Sequence, residues 1–270
     1  MTFAAVVVVY NMFCGDSPTC QALEKMADPN ISVLIYDNST SDYGNGDACS
    51  RLGWKYLGGT GNVGLSKAYN ACVAYLQEQG FDGFVCLFDD DTAVTPAYFT
   101  TLEQAVKTGG QIFVPLIYAD GRLLSPCKLT PSYKTVLFEN EETALSYTGS
   151  DVTAINSAMA MDIALFRDYR YDENIFLDGI DHTHVQKMAE RGIRIRPMAV
   201  RFDHQFSGDE RPSRQAAATR FRIFAKDYAY IFRNKKRSYW YLVGKRALVL
   251  AVRYKSIMFL KILLKMQRDK

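Results

Sequence analysis

Val85-Cys86-Leu87-Phe88-Asp89-Asp90-Asp91-Thr92 is the stretch on which the fold turns. Its four apolar residues read as a buried strand. Three carboxylates follow at the carboxyl end, where parallel α/β sheets open their ligand crevices. Adjacent acids repel one another and are costly beside a core unless positive charge answers them. Hard divalent cations such as Mg²⁺ and Mn²⁺ prefer oxygen ligands and also take phosphate oxygens, so a metal–phosphate site is one reading. The other is a solvated acidic turn, and the triplet alone does not separate the two.

The surrounding chain alternates strand-like and helix-like segments. Residues 4–10, 32–36, 54–57 and 84–88 read as strands, residues 19–27 and 66–79 as helices. Such alternation predicts a mostly parallel α/β sheet. A helix after Pro96, a strand at 111–115, a helix at 178–191 and a strand at 193–202 continue it. Residues 118–150 lack a period and read as an excursion over the sheet. Residues 152–161 read as one buried pattern, with Met159 and Met161 in the core.

Composition bounds the class. The chain has 270 residues, 48% hydrophobic and 23% charged, which is globular rather than disordered and large enough for one domain plus an appendage. Six cysteines form no CxxC pair, so a reducing compartment is expected. The start lacks a basic segment ahead of its apolar run, unlike a signal peptide, and no membrane span is expected. The net charge of +3 hides an asymmetry. Residues 1–205 carry 15 Lys+Arg against 25 Asp+Glu, and residues 206–270 carry 17 against 4. A catalytic domain over 1–205 and a basic helical region over 206–270 are therefore expected, the latter meeting a negative surface. On one continuous helix over residues 239–268, Arg246, Arg253, Lys261, Lys265 and Arg268 oppose Leu248, Val252, Phe259, Ile262 and Leu263. That pattern predicts in-plane contact with anionic membrane. Packing on the core, or on a second subunit of a homo-oligomer, is the alternative.

Two further segments carry candidate chemistry. Asp37 follows the second strand, where a carboxylate can accept from a ribose or base, or simply shape a turn. Residues 58–70 read Gly-Gly-Thr-Gly-Asn-Val-Gly-Leu-Ser-Lys-Ala-Tyr-Asn, a glycine-rich bend opening a helix whose free N–H groups suit an anion. It is neither a Walker loop nor a dinucleotide fingerprint.

In this order the features resemble inverting glycosyltransferases of family 2, and within them the bacterial rhamnosyl- and galactofuranosyltransferases. The matching residues are Tyr10-Asn11, Asp37-Asn38-Ser39, Asn62, Gly64, Ala68, Asn70, Asp89-Asp90-Asp91, Phe176-Leu177-Asp178-Gly179-Ile180-Asp181 and Asp203-His204 with Gly208. The resemblance spans residues 3–235. It implies the α/β GT-A fold, with flanking helices and C-terminal basic helices added here. It also implies a UDP- or dTDP-sugar donor held by Tyr10, Asn11, Asp37, Asn62, Gly64, Asn70, Asp89 and Asp90, with Asp37 at the uracil or thymine. A DXD-like element would use Asp91, Asp89 and His204 to hold Mn²⁺ or Mg²⁺. Asp181 would be the general base, with Asp178 second in line. The implied acceptor is a lipid-linked glycan in O-antigen or capsule synthesis, at the inner face of the plasma membrane.

One departure stands out. Family members often carry Glu two residues beyond the second Asp, where this chain has Thr183 between His182 and His184. These two histidines could orient groups, or join His204 at zinc. Arg211 and Arg214 are candidates for pairing with phosphate or an exposed helix start. A nucleotidyltransferase is a second function, although the first strand runs into Asn11-Met12-Phe13-Cys14-Gly15 without a basic residue. A nucleic-acid-binding protein is a third, and the acidic body argues against it.

Overall fold

The computed structural model describes residues 1–203 and 212–268. β1 (Phe3–Val9), α1 (Pro18–Met26), β2 (Ile31–Asp37), α2 (Asn45–Leu52), β3 (Lys55–Gly58), α3 (Leu65–Glu78), β4 (Phe84–Phe88) and α4 (Pro96–Lys107) build the first half. Then come β5 (Ile112–Ala119), β6 (Arg122–Ser125), β7 (Cys127–Leu129), β8 (Thr135–Leu137), α5 (Glu141–Ser146), β9 (Val152–Thr153) and β10 (Met159–Asp162). α6 (Ile180–Glu190) and β11 (Ile195–Asp203) follow. α7 (Arg214–Ile231), α8 (Lys236–Tyr239), a π-helical turn over Trp240–Gly244, α9 (Lys245–Arg253) and α10 (Met258–Arg268) complete the chain.

The main sheet runs β11-β5-β10-β4-β1-β2-β3, with β6 paired to β5. β1 shows why its sequence is an unbroken apolar run. Ala4 and Val6 enter one buried cluster, while Phe3, Ala5, Val7 and Val9 enter the cluster on the opposite face. A strand covered on both faces has no polar side to alternate with.

The sheet is mostly parallel, as expected, but mixed. β1 pairs in parallel with β2 and β4, but β10 runs antiparallel between β4 and β5. Residues 152–161 are two strands in different sheets, since β9 pairs with β7 and β10 with β4. The chain enters β10 from the crevice edge, through a loop in which Ala158 takes a positive φ of 56°. No crossover helix intervenes to turn the strand parallel. Because β10 is reversed, its start lies beside the ends of β1, β2, β4 and β11. One sheet edge thus collects Asn11, Asp37, Asp89, Ser157 and Asp203.

The tail is not one helix. Lys255 adopts a positive φ of 46° between α9 and α10, and the chain doubles back there. Phe259, Ile262 and Leu263 are buried with Phe221 and Phe224 of α7. These three, expected on a lipid-facing stripe, belong instead to the C-terminal core. No helix among the described residues is long and apolar enough to cross a membrane.

Candidate active site

The acidic turn after β4 is held by hydroxyls from the start of α1. Ser17 caps that helix by accepting from the Cys20 N–H, and Pro18 fits the first helical position. The Ser17 hydroxyl donates to the Asp90 carbonyl, and that of Thr19 lies 2.6 Å from the Asp89 carbonyl. The Thr92 N–H donates back to Thr19 Oγ1 at 2.9 Å. The turn's backbone is fixed, which leaves its carboxylates to carry the chemistry. Burial, followed by the neighbouring charges of Asp91 and Asp89, raises the Asp90 carboxyl to about 6. Acidic oxygens crowded in this way favour a hard cation, so the donor set fits Mg²⁺ or Mn²⁺. Asp91 and Asp203 line one cleft of about 350 Å³ with Ser157 and Arg201. His204 and Gly208, expected beside it, lie outside the described residues, as does Arg211.

The second cleft, about 650 Å³, is lined by Asp37, Ser39, Thr40, Tyr56, Gly59 and Gly61 among others. Asp37 is 3% exposed. Its Oδ1 accepts from the Ser39 N–H at 2.9 Å and its Oδ2 from Asn45 Nδ2 at 2.8 Å. Asn11, at φ 52°, accepts from the Thr40 N–H at 2.8 Å and donates its own N–H to Ser39 Oγ at 2.8 Å. These residues shape the cleft, and Tyr10, next to Asn11 in the chain, is half-exposed. Tyr56 forms a wall, its hydroxyl pushed up to about 12 by burial and by Asp37.

The glycine loop leads into α3. Asn62 Oδ1 accepts from the Gly64 N–H at 3.0 Å. Gly64 sits at φ 86°, and a Cβ there would fall 2.7 Å from Phe176, so only glycine fits. Asn70, expected at the nucleotide, is engaged elsewhere. It accepts from the Tyr171 N–H at 2.9 Å and donates to the Tyr171 carbonyl and Glu173 Oε1, both at 3.0 Å. Its amide therefore fixes the segment that leads to α6.

That segment is gripped from both sides. On one side Ser66 Oγ donates to the Ile175 carbonyl at 2.6 Å, and the Leu65 N–H to the Phe176 carbonyl at 2.8 Å. On the other, Asp227 of α7 accepts the N–H groups of Phe176, Leu177 and Asp178 at 2.9, 2.9 and 2.8 Å. Asp227 is fully buried, and burial raises its pKa against the lowering effect of these three donors. Asp178 is clamped by a two-pronged pair with Arg220 of α7, one arm at 2.8 Å. Asp181 differs. It sits in the first turn of α6, where a helix N-terminus favours an anion, and its Oδ1 accepts the His182 N–H at 2.8 Å. Among the described residues it has no Lys or Arg partner.

Tyr69 lies within electrostatic reach of both carboxylate groups. This ring is fully buried, and its hydroxyl is raised well above its ordinary pKa by burial, then by Asp89 and by Asp181; Asn156 acts in the opposite sense. Asn156 is 7% exposed, and its amide lies at the Tyr69 hydroxyl. Its neighbour Ser157 reaches Thr92 Oγ1 at 3.0 Å, placing this loop beside the acidic turn. Neither Tyr69 nor Asn156 stands out in the sequence, because each looks like ordinary core or turn. Asp227 had a signal, being the one acid in residues 212–268.

His182 and His184 do not gather. His182 Nδ1 lies 2.9 Å from Thr153 Oγ1, whereas His184 points the other way, as residues two apart on a helix must. His184 is buried against Phe166, Tyr169 and Tyr171 with both ring nitrogens unpartnered. Among the described residues no group of three His, Cys, Asp or Glu forms a metal cage. The Thr183 hydroxyl, standing where the family often has Glu, is buried beside Tyr133, whose pKa burial raises and this hydroxyl lowers. Arg214 is exposed at the first position of α7. The six cysteines are free and buried.

Burial lowers the His184 pKa from 6.5 to about 3. The unfolded chain therefore binds a proton below pH 6.5 that the folded chain refuses. This group's contribution to stability is complete above pH 6.5 and is lost as pH falls toward 3, at up to about 1.4 kcal/mol per pH unit. His184→Phe is expected to remove that slope. Urea unfolding at pH 7 and pH 5 should show wild type losing about 2 kcal/mol more than the variant. Equal losses would place the acid sensitivity elsewhere.

A mixed sheet with acids at one edge, a glycine loop before a buried helix and a second helix with Asp181 in its first turn define the GT-A fold. The sequence model described as "Glycosyl transferase family 2" matches residues 5–170, and the chain belongs to that family. Among solved structures, the mannosyltransferase PcManGT from Pyrobaculum calidifontis, in complex with GDP-Man and Mn²⁺, is 16% identical with a TM-score of 0.53, covering 99% of this chain and 75% of its own. TarS 1–349 from S. aureus, in complex with UDP, is 15% identical with a TM-score of 0.51 over 85% of this chain. This chain spans 66% of that TarS fragment. Glucosyl-3-phosphoglycerate synthase from Mycobacterium tuberculosis, with Mg²⁺ and UDP, is 16% identical with a TM-score of 0.52, covering 83% and 77%. At these identities the likeness is one of fold. No curated protein matches the chain.

Proposed function

We propose that this protein transfers a sugar, with inversion, from a UDP- or dTDP-sugar to a hydroxyl of a lipid-linked glycan in bacterial surface polysaccharide synthesis, on the inner face of the plasma membrane. The observation that carries the transfer reading is the acidic turn fixed at the sheet edge, with Asp91 lining a cleft beside Ser157 and Asp203, while Asp181 stands in the first turn of the nearby α6.

Asp181 takes the proton of the acceptor hydroxyl. The acceptor oxygen bonds to the anomeric carbon from the opposite face as the bond from that carbon to the diphosphate oxygen breaks. The nucleoside diphosphate leaves with the electron pair. Asp181 suits the role better than Asp178, whose carboxylate is spent on Arg220. Asp91 and Asp89 would hold a divalent cation, which when bound stabilises charge gathering on the leaving diphosphate. The base-binding end is the Asp37–Tyr56 cleft, and a pyrimidine nucleotide agrees with the UDP complexes of TarS and the mycobacterial synthase. The rhamnosyl- or galactofuranosyltransferase assignment rests on the ordered motif set.

Calorimetry with UDP and dTDP, with and without Mn²⁺, tests the reading. Metal-dependent binding is expected in wild type, weakened at least about tenfold in Asp91→Ala. Binding indifferent to metal and to Asp91 would remove the donor site from the acidic turn.

A further inference from the structure

α9 carries its apolar residues on the wrong side for a helix that only packs on a core. Ala247 is fully buried, and the exposed Arg246 lays its guanidinium 4.0 Å from the Phe224 ring centre. Leu248, Val249 and Val252 face outward at 58%, 56% and 79% exposure. With Lys245 they occupy positions i, i+3, i+4 and i+7, one stripe along the helix. Tyr241 extends the stripe by one turn at its start, and Ile257, 64% exposed, lies just beyond its end. Exposed Lys245, Arg253, Lys255 and Lys261 accompany these residues.

We propose that this face docks in the plane of an anionic lipid bilayer. The choice of occupant rests on charge. Residues 206–270 carry a net charge of +13, set against −10 for the rest of the chain. A second copy would bring the same basic face against its own, whereas anionic headgroups complement it. Lys245, within the apolar stripe, can bury its stem and lift its ammonium to the headgroups. Tyr241 and Trp240, 53% and 40% exposed, offer the part-polar rings that settle at membrane interfaces. The inner side of α9 feels the catalytic region, since the charge of Asp178 reaches Arg246. Arg220 of α7 holds Asp178, and Phe224 of the same helix carries Arg246 of α9, so a single helix, α7, links the docking face to the loop before α6. If the transferase reading is right, this geometry brings a lipid-anchored acceptor toward Asp181, but the docking itself does not depend on that reading.

The test is co-sedimentation of the full chain with vesicles of phosphatidylcholine alone and of phosphatidylcholine with phosphatidylglycerol, without any sugar. Binding is expected only to the phosphatidylglycerol vesicles. Each of Lys245→Ala, Arg253→Ala and Lys261→Ala should weaken it about fivefold. The double variant Leu248→Asp/Val252→Asp should abolish it while circular dichroism and UDP binding stay unchanged, as both side chains are exposed. Absence of binding to anionic vesicles would overturn the proposal. So would binding that survives the double variant, or a dimer that this variant dissociates without any vesicle binding by wild type.

Discussion

Asp181→Asn is expected to lower turnover by about 10²–10⁴ while nucleotide binding and stability stay near wild type. The substitution keeps size and shape, and the new amide oxygen can still accept the His182 N–H that Asp181 Oδ1 accepts at 2.8 Å. What is lost is the capacity to take a proton from the acceptor hydroxyl. Asp178→Asn is the control, because it breaks the paired contact with Arg220 and so acts on the loop rather than on the proton. Single-turnover rates with saturating donor distinguish the two. If Asp181→Asn keeps most of the wild-type rate and Asp178→Asn does not, the base assignment moves to Asp178.

Asp227→Ala is expected to destabilise the fold by about 3–5 kcal/mol and to abolish activity at temperatures where the chain is still folded. The variant leaves the N–H groups of Phe176, Leu177 and Asp178 buried without an acceptor, and each such orphan costs about 1–3 kcal/mol. The loop they anchor leads directly into α6 and Asp181. Asp227→Asn should recover part of the loss, because its carbonyl can serve some of the three donors. Urea midpoints for the three proteins, read alongside turnover, check this. A near-wild-type midpoint in Asp227→Ala would mean that the Ser66, Leu65 and Asn70 contacts hold the loop unaided.

The parts of this fold legible in sequence were those with two buried faces. β1, β2 and β4 read as strands because neither side needed polar residues, and the acids at the ends of β2 and β4 marked the working edge. α2 was invisible. Its Asn, Gly, Asp and Ser residues are weak helix formers, and Ala48 and Cys49 make it a helix only by packing under the sheet. The direction of β10 depends on the path of residues 118–158, which no local pattern encodes. In the site, carboxylates announced themselves, but their partners did not. Asn70 looked like a ligand residue because its own partners lie a hundred residues away at Tyr171 and Glu173. The tail's charge was plain in sequence, whereas the turn at Lys255 reassigned which apolar residues face outward.

The grip of α7 on the loop before α6 bears on how such enzymes can be recombined. Charge changes sign near residue 205, which looks like a natural junction for exchanging C-terminal segments between relatives. A chimera joined there would receive a foreign α7 and lose both Asp227 and Arg220. Joined instead beyond Phe232, the catalytic half would keep its own loop anchor, and only α8, α9 and α10 would change hands.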